Sequence, residues 1–459
     1  MLYIGLAISI VFVVITARLL LKQYHPHAVL IFSGLLMMMV ATFLGMPLPE
    51  LAAPTSSSVF DFFKIIKESF STINSGVGLM IMAIGGFVAY MKHIGASDAL
   101  VNVALKPLGL LKKYPHITAI SVIPIGQILF VCIPSAAGLS LLLMAAVFPI
   151  LINLGVSRIA AVSVITSCTA FGIGPASAIT ASATLISGED PIIYFISHQL
   201  PLVIPSSLVM MIAYFFVNRY FDKKDAEAEK NLDDVAIKDS DKPSTSAPLF
   251  YAILPVVPLI LLIVFSEILN LTPTPIHLDT STAMIISLFL AVLVDFARKR
   301  DLKAMFSSLQ VFWNGMGNIF KTVVTLIIAA EVFSKGLIAL GFIEGLVQIT
   351  ENLGFGAVGI GIVLTLIIFL SSMLMGSGNA AFFAFGPLVP KIATKLGIKS
   401  TDIILPMNLS ASMGRTVSPV AGIIIACSEI AGVSALSIVK RNIIPLSAGF
   451  LTLLLTHYL

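Results

Sequence analysis

Long apolar runs dominate the sequence and decide what kind of structure it can form. Each run approaches the roughly 20 residues that a helix needs to cross the hydrocarbon of a bilayer. The chain of 459 residues is 58% hydrophobic and only 11% charged, which excludes a soluble globular domain. The sequence therefore predicts an all-α polytopic membrane protein in contact with a lipid bilayer. The runs lie near 2–21, 28–46, 77–91, 197–217, 249–269, 282–297, 318–334 and 442–459.

The charged residues indicate how such a chain would be oriented. The first apolar run has no basic segment before it and no small-residue cleavage site, so we expect a retained span rather than a signal peptide. Residues 218–248 form the one long polar segment, which has mixed charge and no apolar face. This composition predicts a flexible cytoplasmic linker. Most of the 27 basic residues then face the cytoplasm, as the positive-inside rule requires, whereas Lys391, Lys395 and Lys399 do not.

The linker separates an N-terminal membrane repeat, 1–217, from a C-terminal one, 249–459, and the two halves match weakly but in order. The clearest match places SAAGLSLLLMAAVFPILINLG (135–155) on SGNAAFFAFGPLVPKIATKLG (377–397). Five crossings and one re-entrant segment in each half would make the two repeats inverted relative to each other. Inverted repeats are typical of secondary transporters, whose two faces open alternately.

Polar residues and glycines interrupt the apolar runs at corresponding places in the two halves. Non-helical backbone survives in a bilayer only where protein buries it or where it lines a wet cavity. We therefore predict, in each half, a re-entrant hairpin that faces a broken helix. The hairpins span about 117–154 and 357–397, and the broken helices about 158–187 and 402–432. The polar interruptions are IPSAAG, TSCTAFGIGPASA, MGSGNAA and SASMGRTVSP.

These interruptions supply the candidate binding residues. The N-terminus of a half-helix offers N–H donors and a positive dipole to an anion, and freed carbonyls and hydroxyls can bind a cation. The planar fork of Arg415 can bind a carboxylate through two parallel hydrogen bonds. The predicted substrate-binding residues are Ser135, Gly138, Thr169, Ser377, Gly378, Asn379, Arg415, Thr416 and Ser418. The predicted cation-binding residues are Ser135, Ser167, Ser377, Asn379, Ser410 and Ser412.

Simpler interpretations of the same residues stay open at this point. Ser, Gly and Thr are also ordinary packing residues between membrane helices. Arg415 could form a structural salt bridge with Glu331, Glu429 or Asp402 instead of binding a substrate. Glu331 could itself carry a proton, or it could pair with Lys335 at the favourable i,i+4 spacing.

The sequence has no metal-ligand or catalytic pattern. It contains no HExxH, GxSxG or Walker motif, and its three cysteines have no paired spacing. We therefore expect no enzymatic activity, no metal site and no nucleic-acid partner. No cofactor is expected either, apart from a coupling Na⁺ or H⁺.

Three motifs, GSGNAAFFAF (376–385), GRTVSPVAG (414–422) and VAYMKHIGASDALV (88–101), resemble the DcuC family of anaerobic C4-dicarboxylate carriers, in the ion transporter superfamily. The resemblance runs through nearly the whole chain and implies a bacterial inner-membrane carrier for succinate, fumarate or malate. It also implies a homodimer in which a transport domain moves as an elevator against a scaffold domain. Ala136 and Ala137 stand where sodium-coupled relatives carry Asn and Thr.

The sequence as a whole thus predicts a secondary active transporter of C4-dicarboxylates that works by exchange, efflux or cation-coupled transport. A carrier for amino acids or other carboxylates is the alternative, because one arginine recognises any carboxylate. An ion channel or an integral membrane enzyme would be a different class of protein. A channel would conduct without saturation, and an enzyme would need a catalytic cluster.

Overall fold

A computed structural model of the chain describes residues 2–22, 24–111, 114–228, 247–267, 269, 276, 278–352 and 356–459. Within these residues every regular element is helical. The first-half helices are α1 (Leu2–Leu21), α2 (Pro26–Phe43), α3 (Ser58–Ile73), α4 (Leu79–His93), α5 (Ala96–Ala104), α6 (Pro115–Cys132), α7 (Ala136–Ala146), α8 (Phe148–Asn153), α9 (Arg158–Ser167), α10 (Ala178–Ser187), α11 (Pro191–Ile193) and α12 (Leu200–Ala228).

The second half is also built from helices. They are α13 (Val257–Val264), α14 (Thr280–Lys299), α15 (Leu302–Ile319), α16 (Thr325–Ala339), α17 (Phe342–Asn352), α18 (Gly356–Met375), α19 (Gly378–Phe385), α20 (Val389–Leu396), α21 (Ser400–Thr416), α22 (Gly422–Ala431) and α23 (Ala435–Tyr458). Of the predicted linker 218–248, the first residues continue α12 to Ala228, and residues 229–246 lie outside the described part of the chain.

Local sequence signals set many of these helix ends. Asp279 accepts a hydrogen bond from the Thr282 N–H at 3.1 Å and so caps the start of α14. Asp301 caps α15 in the same way through the Ala304 N–H at 3.0 Å. At the other end, Gly188 terminates α10 in the left-handed region at φ 73°, which glycine adopts without steric cost.

The described residues contain nine helical stretches that are long and apolar enough to cross a membrane. The chain is therefore a polytopic helical membrane protein, as its composition predicts. The first apolar run forms α1, within which Ile4–Leu20 is a further, shorter apolar stretch. The nine stretches are Pro26–Phe43, Val59–His93, Pro115–Cys132, Ala136–Asn153, Pro191–Lys224, Thr280–Lys299, Leu302–Ala339, Gly356–Met375 and Ala435–Tyr458.

Three of these stretches are much longer than a bilayer requires, and each contains a π-helical segment. The segments are Asn74–Gly78 in Val59–His93, Tyr194–Gln199 in Pro191–Lys224 and Phe320–Val324 in Leu302–Ala339. Of these, Asn74–Gly78 and Phe320–Val324 contact each other. Such π-bulges occur frequently at functional sites, because they change the direction of side chains within a helix.

Helices α4 and α15 pack tightly against each other and form a surface that we call the α4–α15 wall. A Cβ atom on Gly85 would lie 2.1 Å from the Ile319 side chain, so only glycine permits this approach. Farther along the pair, the Ser308 hydroxyl donates a hydrogen bond to the Tyr90 hydroxyl at 3.5 Å. Residue numbers thus rise along α15 as they fall along α4, which means that the two helices are antiparallel.

Candidate functional site

The first tip, residues 133–138, is a helix interruption stabilised by one serine. Helix α6 ends at Cys132, and Ser135 is extended, with φ −121° and ψ 105°, just before α7 begins. The Ser135 hydroxyl accepts a hydrogen bond from the Gly138 N–H at 3.2 Å. This N-cap satisfies one donor of the first helical turn, while the other first-turn N–H groups have no partner within the helix. The first tip can therefore donate backbone hydrogen bonds to an anion.

The second tip, residues 375–381, has the same local structure. Gly376 takes φ 70°, Ser377 is extended, with φ −137° and ψ 108°, and α19 begins at the next residue. The Ser377 hydroxyl accepts from the Ala380 N–H at 3.2 Å. Gly378 is buried, and a Cβ atom there would lie 2.6 Å from the Ala411 carbonyl oxygen of α21. The backbone of the second tip therefore lies directly against α21.

A second pair of interruptions separates α9 from α10 and α21 from α22. In the first of them Gly172 and Gly174 have φ 60° and 97°. The buried Gln199 amide accepts from the Gly174 N–H at 3.0 Å and donates to Thr180 Oγ1 at 2.9 Å and Asn408 Oδ1 at 2.6 Å. Because Asn408 belongs to α21, this amide ties the interruption of the first half to the broken helix of the second half.

Arg415 lies in the last turn of α21, where it reaches the interruption of the first half. Its Nη2 donates to the Thr169 carbonyl oxygen at 2.8 Å and approaches Thr169 Oγ1 at 3.4 Å. Its Nε is buried without a hydrogen-bond partner. A buried donor without a partner is costly, so this guanidinium is poised to accept an additional ligand.

The salt-bridge alternative for Arg415 does not hold. Among the described residues no carboxylate lies within 4.0 Å of its guanidinium. Glu331 instead lies 3.9 Å from Lys335, at the i,i+4 spacing. Asp402 accepts from the Lys399 N–H at the start of α21, and Glu429 forms no ion pair within the described ranges. The charge of Arg415 is therefore not neutralised by these carboxylates.

A cavity of about 480 Å³, which we call the central cavity, lies between the two tips and the α4–α15 wall. The predicted residues that line it are Ser135, Gly138, Asn379, Ser412 and Arg415. Two cations, Arg415 and Lys92, line the central cavity, and none of the described lining residues is acidic. A cleft lined by one sign of charge concentrates ligands of the opposite sign, so this cavity attracts anions.

Other predicted residues surround the central cavity without lining it. Ser377 and Gly378 shape the second tip next to Asn379, and Thr169 contacts Arg415. Their contribution is to hold the lining residues in place.

The remaining predicted residues form hydrogen bonds away from the cavity or have none. The Ser410 hydroxyl donates to the carbonyl three residues earlier at 3.0 Å, and Thr416 to the carbonyl four residues earlier at 2.9 Å. Ser167 is hydrogen-bonded to the Tyr214 hydroxyl. Ser418 is buried, and its hydroxyl has no partner.

Four polar residues that line the central cavity were not foreseen from the sequence, namely Lys92, Ser97, Ser177 and Asn318. Two of them, Lys92 and Asn318, belong to α4 and α15 and so lie on the α4–α15 wall. Lys92 lies inside the motif 88–101, and Asn318 opens the apolar run 318–334, but neither belongs to the four polar interruptions that the sequence analysis singles out. Only the packing of the two long helices brings them to the cavity.

Charge distinguishes the central cavity from two others. A cavity of about 560 Å³ is lined by the carboxylates Glu189, Asp190, Glu267 and Asp279, which would repel a dicarboxylate. A cavity of about 860 Å³, which we call the mixed-charge cavity, is lined by glutamates and by Lys335 and Lys391. We therefore place the candidate anion site in the central cavity.

The described ranges contain no group of three or more His, Cys, Asp or Glu side chains that could hold a metal ion. Of the predicted cation ligands, the Ser135 and Ser377 hydroxyls already cap helices, whereas Asn379 and Ser412 line the central cavity. A coupling cation stays a prediction.

The fold and the site define a polytopic helical membrane protein with an anion-attracting cavity between interrupted helices. The family model of the DcuC C4-dicarboxylate anaerobic carriers matches residues 4–458. The chain belongs to the DcuC family, which is a family of transporters and not of enzymes.

Several curated relatives match almost the whole chain. The anaerobic C4-dicarboxylate transporter DcuC of Escherichia coli (strain K12) is 35% identical over 448 residues, which cover 97% of this chain and 95% of that protein. The probable anaerobic C4-dicarboxylate transporter DcuC of Vibrio cholerae serotype O1 is 33% identical over 452 residues, with 98% and 96% covered.

A solved structure shares the fold. It is that of Neisseria gonorrhoeae MtrF, described as illuminating a class of antimetabolite efflux pumps. The TM-score is 0.57 at 15% sequence identity, and the match covers 94% of this chain and 95% of that one. At this identity the likeness concerns the fold alone.

Proposed function

We propose that this protein carries C4-dicarboxylates such as succinate, fumarate or malate across the bacterial inner membrane, and that Arg415 binds one carboxylate of the substrate. The proposal rests on the surroundings and the hydrogen bonding of the Arg415 guanidinium group. Its guanidinium lines a cavity without acidic lining residues among the described ones, has no carboxylate within 4.0 Å, and keeps a buried Nε without a partner. A carboxylate is the ligand that best satisfies such a fork.

The second carboxylate has suitable donors near the two tips. Asn379 supplies an amide, Ser412 supplies a hydroxyl, and the first turn of α7 supplies backbone N–H groups beside Ser135. A buried dianion needs several such donors, because each unpaired oxygen would lose its hydration without compensation.

The transport mechanism that we propose is alternating access by two inverted repeats. Its support is the reciprocity of packing across the halves. Helix α2 of the first half packs against α16 of the second, and in the reciprocal pair α14 packs against α4. In the same way α1 packs against α17, and Leu249–Val256 packs against α5. The last long helices of the two halves, α12 and α23, pack against each other. Such exchange of partners is expected when two related halves are joined by a pseudo-twofold axis.

In this mechanism the two tips and the broken helices form the moving transport domain, and the α4–α15 wall belongs to the scaffold. Homodimerisation would anchor the scaffold, and the segment 218–248 would lie in the cytoplasm between the repeats. Exchange, efflux and coupling to Na⁺ or H⁺ are the modes to be distinguished by transport assays.

The function is tested by succinate counterflow in proteoliposomes that contain the wild type, Arg415→Ala, Arg415→Lys or the control Arg219→Ala. Arg219 is exposed near the end of α12, away from the central cavity. We expect Arg415→Ala to lower succinate transport by about 100-fold, because a buried charge partner is lost. Arg415→Lys should also transport poorly, since an ammonium cannot form the planar fork.

The same assay contains the results that would contradict the proposal. Succinate counterflow by Arg415→Ala at the level of Arg219→Ala would refute the role of Arg415. Counterflow of amino acids or monocarboxylates without any counterflow of succinate, fumarate or malate would refute the substrate class. Conductance without saturation would indicate a channel.

A further inference from the structure

The two sides of the central cavity present similar chemistry from unrelated elements. On the side of the tips are Arg415 and Asn379, a cation and an amide. On the α4–α15 wall are Lys92 and Asn318, again a cation and an amide. The other wall residues that line the cavity are apolar or glycine, from Ile81 to Ala89 on α4 and from Gly315 to Val323 on the opposite helix.

Lys92 lies at the mouth of the cavity. It is exposed in the last turn of α4, at the end of a membrane-spanning stretch. Among the described residues no carboxylate lies within 4.0 Å of its ammonium group. Asp98 is within electrostatic range of Lys92, because burial raises the pKa of Asp98 while the charge of Lys92 opposes this increase. The ammonium group is therefore available to an entering anion.

Asn318 lies deeper along the same wall. The contact of Ile319 with Gly85 places it at the level of Gly85, seven residues before Lys92 and thus about two helical turns, or roughly 10 Å, farther in. Its side chain is exposed to the cavity and makes no hydrogen bond within the described structure. By contrast, the amide oxygen of Asn314, one turn away, accepts from Gln310 Nε2 at 3.1 Å.

We propose that Lys92 and Asn318 form an entry track on the α4–α15 wall, which captures a dicarboxylate at the mouth and presents it to Arg415. The track rests on the proposed function of the central cavity and adds two specificity-determining residues to it. A dianion is attracted to Lys92 and Arg415 at once, whereas a monocarboxylate can satisfy only one of them. The track therefore favours dicarboxylates over monocarboxylates.

The track belongs to one face of the membrane. When the two halves are aligned on their π-helical segments, Asn74–Gly78 and Phe320–Val324, the position of Lys92 is taken by Ile338. Ile338 lines the mixed-charge cavity, where Glu331 and Lys335 stand on the corresponding helix. That cavity also contains acidic side chains, so it has no cation-only path for a dianion. Removing Lys92 should thus affect substrate entry from one face only.

The experiment measures initial succinate uptake into right-side-out and inside-out membrane vesicles over a range of concentrations and ionic strengths. The variants are Lys92→Gln, Lys92→Arg and Asn318→Ala, with Asn314→Ala as the control on the same helix. We expect Lys92→Gln to raise the KM about tenfold in one vesicle orientation and to leave the KM in the other orientation unchanged. The maximal rate should stay near that of the wild type, because Arg415 is intact.

Two further readouts separate a track from a merely structural role. Lys92→Arg should have the KM of the wild type, because it keeps the positive charge. Lys92→Gln should weaken the salt dependence of the KM, because the attraction that it removes is electrostatic and is screened by salt. Asn318→Ala should raise the KM about fivefold in the same orientation, because a hydrogen bond to a charged ligand is lost. Asn314→Ala should behave as the wild type.

The outcomes distinguish failure of the track from failure of the proposed function. If the wild type takes up succinate and Lys92→Gln has an unchanged KM in both orientations, the track is wrong and the proposed function stands. The same conclusion follows if the KM rises equally in both orientations, or if Lys92→Arg fails to restore it. If the wild type takes up no dicarboxylate in either orientation, both proposals are wrong.

Discussion

The first and second tips share a backbone structure but differ in side-chain chemistry. In both, an extended serine caps a half-helix, and the Ser135 and Ser377 hydroxyls each accept one N–H at 3.2 Å. The first tip lines the central cavity with Ser135, Ala136 and Gly138, whereas the second contributes the amide of Asn379. Two equivalent helix ends can thus be used differently, one through its backbone and the other through a side chain.

The two tips also differ in how closely their glycines are packed. The second tip lies against α21, where a Cβ on Gly378 would meet the Ala411 carbonyl oxygen at 2.6 Å. A Cβ on Gly138 of the first tip would meet only the side chain of Ser135, at 2.9 Å. The second tip is therefore held by backbone packing that the first tip lacks.

The largest expected effect comes from exchanging the side chains at one position of the two tips. In the alignment of the halves, Asn379 corresponds to Ala137. Asn379→Ala should weaken succinate binding about 10- to 100-fold, because a hydrogen bond to a charged ligand is lost. Ala137→Asn should change the affinity less than about twofold, since Ala137 is exposed and does not line the cavity.

Isothermal titration calorimetry with succinate on the two purified variants measures this difference. Equal losses of affinity in both variants would show that the tips contribute alike, which would contradict the comparison. Size-exclusion chromatography and the thermal unfolding temperature would show whether each variant remains folded.

A second difference should be visible in stability. Gly378→Ala should lower the free energy of unfolding by about 1–3 kcal/mol, because the new methyl group overpacks the contact with α21. Gly138→Ala should cost less than about 1 kcal/mol, because it meets only a flexible side chain and gains helix propensity. Thermal unfolding in detergent compares the two variants directly, and a larger loss for Gly138→Ala would contradict the packing argument.

The smallest effect should be the same in both tips. Ser135→Ala and Ser377→Ala each remove one N-cap hydrogen bond, so each should lower the free energy of unfolding by about 1 kcal/mol. Replacement by Asn should preserve most of this stability, because Asn is also a good N-cap residue. The same thermal unfolding measures both variants. Unequal losses would mean that the two N-cap hydrogen bonds contribute differently to the free energy of unfolding, despite their similar geometry.

Much of the local structure follows from the sequence. Helices end at Cys132, directly before the first polar stretch, and at Ser167, Met375 and Thr416, inside the other three. Glycine and serine set these ends because they adopt left-handed or extended backbone and cap helices without help from distant residues. The polytopic helical class was predicted from composition and the apolar runs, and the DcuC family from the resemblance of three motifs; both are confirmed.

Longer-range features were missed because they depend on contacts between halves. The runs 77–91 and 318–334 predict single spans, but each belongs to a helix that continues well beyond its run. The sequence offered Glu331, Glu429 and Asp402 as partners of Arg415, whereas its hydrogen bonds go to Thr169 in the other half. Sequence patterns describe periodicity within one segment, and these contacts join segments far apart in the chain.

The sequence by itself determined that this chain crosses a membrane as helices, where those helices are interrupted, and that it belongs to the DcuC family. Composition, hydropathy and capping are properties of consecutive residues, so they can be recognised without a fold. Only the tertiary structure decided which polar groups face one cavity. Lys92 and Asn318 reach it because glycines let α4 and α15 pack closely, and Arg415 lacks a carboxylate partner because its helix end meets a backbone carbonyl.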